Sequence, residues 1–181
     1  YIYLDTDERR RFAQVSHEYL IEQLQFTGAE SVNSTNNKIK LNFNHPVKEL
    51  VLVFQDARKL DCSSTVSVGA GYTQPFTYDD IVDKCRLQIN GQDRFDERYG
   101  DYFWKVQPYQ HHTATPDTGI NVYSFALRPE EHQPSGSCNF SRIDNAQVAV
   151  WLKQATVPSN ANYNLQKMFA VNYNILRIQS G

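Results

Sequence analysis

Residues 38–43, KIKLNF, alternate without a fault: Ile39, Leu41 and Phe43 fall on one side, Lys38, Lys40 and Asn42 on the other. That period of two predicts a strand with one covered face. Residues 49–55, ELVLVFQ, form a continuous apolar run rich in β-branched side chains, which predicts a strand covered on both faces. Asn44-His45-Pro46 between them predicts a turn with φ pre-set by the proline, and hence a hairpin joining the two strands. Alternation returns at 84–89, 120–127, 146–152 and 168–178. Residues 18–26 alternate less cleanly, so a short helix competes with the strand their neighbours favour. Tyr1-Ile-Tyr-Leu reads as the end of an eighth strand, and this abrupt strand-like start without Met suggests a fragment of a longer chain.

Between these runs lie polar and turn-forming stretches. Residues 6–17 are charged, and Thr6-x-x-Arg9 fails the capping-box rule, which predicts a loop with one helical turn at most. Residues 28–37 are rich in Ser, Thr and Asn, and Asn90-Gly91 is a strong turn signal. Residues 56–80 exceed the ordinary loop length. Residues 92–118 carry Phe95, Tyr99, Tyr102, Phe103 and Val106 at spacings of three and four, which predicts one short helix laid on the sheet and ended by Pro108. Gly100 inside that stretch weakens a helix by about 1 kcal/mol relative to Ala.

Eight strands with loops of unequal length predict an all-β fold, a single eight-stranded antiparallel jelly-roll sandwich over 1–181 with long loops and a short helix. An immunoglobulin-like sandwich is the alternative, but it needs only about 100 residues. Strict antiparallel alternation places the excursions 5–17, 92–119 and 153–166 at one end. It places 27–37, 57–80 and 128–145 at the other.

Composition narrows the function. A chain of 181 residues builds its own core without disulfides or metal. A net charge of −2 gives no general attraction to nucleic acid, and the one basic run, Arg9-Arg10-Arg11, sits against Asp5, Asp7 and Glu8. Three cysteines, Cys62, Cys85 and Cys138, form no CxxC pair and read as reduced thiols. No apolar run reaches the roughly 20 residues of a membrane span. Asn33-Ser-Thr and Asn139-Phe-Ser match the glycosylation sequon, a weak signal without a secretory leader.

No reactive constellation stands out. His111-His112 are adjacent, so on a strand their rings point to opposite faces and cannot share an ion. His132 with Glu130 and Glu131 lies in a proline-flanked loop. Ser135-Gly136-Ser137-Cys138 lacks the G-x-S-x-G elbow. Asp93, Asp96 and Glu97 do not have EF-hand spacing, and Arg94 and Arg98 among them predict local ion pairs. The aromatic run at Tyr99, Tyr102, Phe103, Trp104 and Tyr109 suits core packing or subunit contact. No catalytic residue, metal or cofactor is expected.

The runs LNFNHPVKELVLVFQ (41–55), QINGQDRFDER (88–98), YFWKVQPYQHHTATP (102–116), VYSFALRPEEHQPSGSCNFSRIDNA (122–146) and FAVNYNILRI (169–178) resemble the major capsid protein of nucleocytoplasmic large DNA viruses. The resemblance covers nearly the whole chain. It implies a double jelly roll in which this chain is the C-terminal roll, three subunits forming a pseudo-hexameric capsomer. It also implies a shell around a large double-stranded DNA genome, assembled in the host cytoplasm. The partners it implies are further copies of the chain (a homotrimer), neighbouring capsomers and minor capsid proteins, with no direct nucleic-acid contact and no membrane span, though an internal membrane lies beneath such shells. On this reading the subunit contacts fall on Arg94, Asp96, Arg98, Trp104, His112, Glu130, Glu131, Arg142 and Asp144. A carbohydrate-binding jelly-roll module is the alternative, and a cupin-type enzyme is disfavoured by the histidine spacing.

Overall fold

The computed structural model describes residues 1–32, 34–60, 76–153 and 164–179. Its strands are β1 (His17–Ser31), β2 (Asn36–Lys40), β3 (Pro46–Asp56), β4 (Val82–Ile89), β5 (Gln92–Asp93), β6 (Arg98–Tyr99), β7 (Ile120–Ser124), β8 (Cys138–Asn139), β9 (Ala146–Leu152) and β10 (Asn164–Ile178). One sheet runs β1-β10-β3-β7 with β8 beside β3, and the other β2-β9-β4-β5 with β6 beside β4. All pairings are antiparallel. The chain passes from one sheet to the other at each of the connections β1–β2, β2–β3, β3–β4 and β9–β10, which makes the fold a jelly-roll sandwich.

Alternation decides what each strand buries. Ile39, Leu41 and Phe43 are buried as their spacing predicts, and β3 is buried along most of both faces. Leu50, Leu52 and Phe54 of β3 meet Leu87 of β4, Val148 and Val150 of β9 and Met168 of β10 in the core between the sheets. The space left among these described residues is about 30 Å³ and, apart from Asn121, is lined by apolar or aromatic side chains, so the core there is packed.

Four expectations need correction. The hairpin of 38–43 with 49–55 does not form: β2 pairs with β9, whereas β3 pairs with β10, β7 and β8. The polar Asn44-His45-Pro46 segment carries the chain across from one sheet to the other, with His45 at φ 65° and Phe43 tucked into the core. Tyr1–Leu4 is not a strand; its side chains stand in solvent.

Residues 6–17 are not a loop, since α1 spans Thr6–Gln14. Its cap is Asp5, whose Oδ1 accepts the Glu8 N–H at 2.8 Å, so the cap motif starts one residue before the Thr6 that fails it. Pro108 opens a helix instead of closing one. A π-helical turn at Tyr102–Val106 runs straight into α2 (Gln107–His111), and the proline sits in the first turn of α2.

The strand register also redraws the ends. His17 of β1, Pro46 of β3, Ser124 of β7 and Ile178 of β10 lie at one end, which therefore holds α1, 41–45, Asn90-Gly91 and 125–145. Ser31, Asp56, Ile120 and Leu152 mark the other end. Residues 94–119 run the length of the sandwich from the first end to the second, so the alternation assumed for loops of a simple meander fails there.

Candidate interface surfaces

Asn90 at φ 51° and Gly91 at φ 80° make the tight turn after β4. It folds Asp93 back onto the same strand, where the carboxylate meets Arg86 Nη1 at 3.2 Å and Gln88 Nε2 at 2.6 Å. Glu97 approaches Lys84 at 3.7 Å, and Asp96 Oδ1 accepts the Glu97 N–H. The three carboxylates thus pair with cross-strand bases or local backbone, not with Arg94 and Arg98 as expected. Arg98 lays its guanidinium 4.5 Å from the Tyr102 ring centre. Arg94 is exposed and borders a surface groove with Phe125, Ser137 and Cys138. The Cys138 thiol is half-buried, while burial pushes the Cys85 thiol up to about 12. Cys62 lies outside the described residues.

The aromatic run divides by depth. Phe95, Tyr102 and Phe103 join Tyr123, Phe125 and Phe140 in a chain of ring contacts against the core. Trp104 is half-buried, its Nε1 3.3 Å from Asp101 Oδ1 and Lys105 Nζ 4.5 Å from its ring centre. The Lys105 hydrogen bond holds the Asp101 carboxyl below the usual carboxylate range. Tyr99 and Tyr109 remain exposed.

His111 and His112 end α2 and do not lie on a strand, and their rings take different partners. His111 Nδ1 sits 3.0 Å from the Leu127 carbonyl. His112, the C-terminal cap of α2, reaches between two carboxylates: Nε2 is 3.1 Å from Glu49 Oε2 and Nδ1 is 3.2 Å from Glu130 Oε1. Glu130 Oε2 also accepts the Thr113 N–H at 3.0 Å. Glu49 first and Glu130 after it push the His112 ring above the ordinary imidazole range, against the opposing effect of burial.

A second cluster lies nearby. Lys48, 2% exposed, meets Glu22 at 2.7 Å and stands over the Tyr173 ring, and His132 approaches the same Glu22 oxygen at 3.5 Å. Glu131 pairs with Arg128. Arg142 and Asp144 are exposed at the corner where Asn145 and Asn90 exchange hydrogen bonds.

Of the nine residues expected at contacts, the fold brings only His112 and Glu130 together. The rest are spread over the rims and one long side. Glu49, Lys48 and Glu22 were not expected. They are polar interruptions in strands, and a charge beside an apolar run is the one sign that could have singled them out.

The exposed apolar side chains are concentrated elsewhere. Of 18 large apolar side chains exposed among the described residues, 12 belong to residues 1–26 or 175–176. No residue of α1 is buried, nor any of β1. Leu20, Leu24 and Phe26 lie opposite Ile175, Val171 and Phe169, with the Phe26 and Phe169 rings stacked at 4.6 Å.

The profile of the large eukaryotic DNA virus major capsid protein matches residues 8–181. The chain belongs to that family. The capsid-family chain is 53% identical to the major capsid protein of Pyramimonas orientalis virus over 204 residues, covering all of this chain and 46% of that protein. It is 43% identical to that of Phaeocystis pouchetii virus, covering 100% and 50%. In structure it is similar to the PBCV-1 virus capsid, with a TM-score of 0.77, 40% identity and coverage of 100% and 54%. The Faustovirus major capsid protein, at TM-score 0.64 and 15% identity, shares the fold, covering 94% and 35%. The capsid-family chain spans about half the length of the curated relatives it matches. The relatives it matches are major capsid proteins of large DNA viruses.

Proposed function

We propose that this chain is the second jelly roll of a two-roll capsid subunit, three of which make a pseudo-hexameric capsomer of an icosahedral shell. The carrying observation is the apolar flank of α1, β1 and the end of β10. A 15-residue edge strand with exposed Leu24 and Phe26 is an aggregation hazard unless something covers it. The half of the relatives' length that lies outside this chain is of the right size to do so. A tethered domain docks at high effective concentration, so a moderate apolar face suffices.

The contacts between capsomers then use the polar rims and the side carrying 94–112. Arg94, Asp96, Arg98, Trp104, His112, Glu130, Glu131, Arg142 and Asp144 are the residues we assign to contacts with further copies, neighbouring capsomers and minor capsid proteins. Repetition by symmetry lets many modest contacts hold a shell. The shell encloses a double-stranded DNA genome that this chain does not touch, and it assembles in the host cytoplasm. Native mass spectrometry of the full-length protein tests the trimer. Three copies per particle are expected, and a monomer at every concentration overturns the reading.

A further inference from the structure

The His112 site joins three parts of the fold that are far apart in sequence. Its ring comes from the end of α2, Glu49 from β3, and Glu130 from the turn that follows β7. The His112 and Glu49 side chains are 16% and 13% exposed, and His112 Nε2 and Glu49 Oε2, 3.1 Å apart, are screened from solvent and make no well-aligned hydrogen bond with each other or with any other described residue. A neutral imidazole has one N–H and can satisfy one carboxylate only. The other nitrogen then turns a lone pair toward a carboxylate, one of them buried. An imidazolium carries an N–H on each nitrogen and a positive charge within 3.1 and 3.2 Å of the two carboxylates.

Among the described residues no other cation is placed to substitute. Lys48, the neighbour of Glu49 on β3, is held by Glu22 of β1, and Arg128 on the turn is held by Glu131. His111 is turned to the Leu127 carbonyl, and His132 faces Glu22. A cleft of about 260 Å³ beside the site, lined by His112, Thr115, Pro116, Val122 and Glu130, gives water a route to the ring and the turn room to move.

We infer that His112 is a proton-operated latch: the doubly protonated ring fastens the 128–131 turn and the 112–116 segment onto β3, and loss of one proton releases them. The latch itself depends only on this geometry. Its effect on assembly rests on the proposed function, because the released segments carry residues assigned to subunit contacts. The sign follows from the raised titration of the ring. The latch contributes fully below the ordinary imidazole range, near 6.5, and is lost as pH rises through the higher folded value.

Hydrogen exchange on the full-length capsid protein, read peptide by peptide between pH 5.5 and 8.5 and corrected for intrinsic rates, tests it. Peptides over 111–118 and 127–133 are expected to open up to about tenfold more per pH unit between the ordinary imidazole range and the raised folded value of the ring, and to level off above it. Peptides over β9 are expected to show no such step. His112→Gln removes the step. Glu49→Gln moves it to lower pH, which keeps the test alive if His112→Gln does not fold. A wild-type protein without the step, a step that survives His112→Gln, or one that moves upward in Glu49→Gln overturns the latch. Native mass spectrometry across the same range separates the two claims: a local step with an unchanged trimer retains the latch and removes its link to assembly.

Discussion

Lys48 shows how a single residue can depend on its surroundings. Its ammonium lies almost wholly out of water, satisfied by Glu22 and the Tyr173 face. Breaking a buried pair leaves an uncompensated charge and costs about 3–5 kcal/mol, whereas replacing the charge by an apolar group of similar volume costs far less. Glu22→Ala is therefore expected to lower the melting temperature of the full-length protein clearly more than Lys48→Met does, as read by calorimetry. Gly100 is a second such position. A Cβ there would run into the Val82 carbonyl, so the glycine that weakens a helix on propensity is required where the helical turn crosses β4. Gly100→Ala is expected to cost about 1–3 kcal/mol in urea unfolding, the range for overpacking. The alternation of Ile39, Leu41 and Phe43 was legible in the sequence, but neither of these constraints was. Both arise from a backbone or side chain brought in from a distant segment.

Among the elements, α1 is the least supported by tertiary contact. It packs no residue into the core and rests on its own cap, with Asp7 and Glu8 at the positive end and Arg11 at the other. Asp5→Ala removes that cap, which is worth about 1 kcal/mol. The expected outcome is faster amide exchange over 6–14 with no change in global melting temperature. A fall in melting temperature would mean that α1 is coupled to the sandwich. Strand position was readable where alternation was clean, and seven of the eight expected segments overlap strands, although 41–43 and 125–127 lie beyond them. Strand pairing was not. β2 and β3 are adjacent in sequence and sit in different sheets, because each finds its apolar face covered from across the sandwich and not by its neighbour in the chain.

For the whole molecule, the two faces of the sandwich are unequally covered. The core between the sheets is closed, whereas the β1–β10 side presents Leu20, Leu24, Phe26 and Ile175 to solvent. Substitutions of exposed residues change stability by only about 0.5 kcal/mol. Leu24→Lys in the full-length protein is therefore expected to leave the secondary structure seen by circular dichroism intact. At the same time it is expected to speed amide exchange over β1 and the end of β10 by loosening the rest of the subunit from this flank. Unchanged exchange there would mean that nothing docks on it.

Sequence alone determined the all-β class, the positions of most strands, the turn at Asn90-Gly91 and, through long shared motifs, the capsid family. These are local or inherited patterns, written in residue order. Tertiary structure decided which strands pair, which end each loop occupies, and that His112 meets Glu49 across 63 positions of chain. Such contacts are set by how the two sheets close on each other, and no spacing along the chain encodes them.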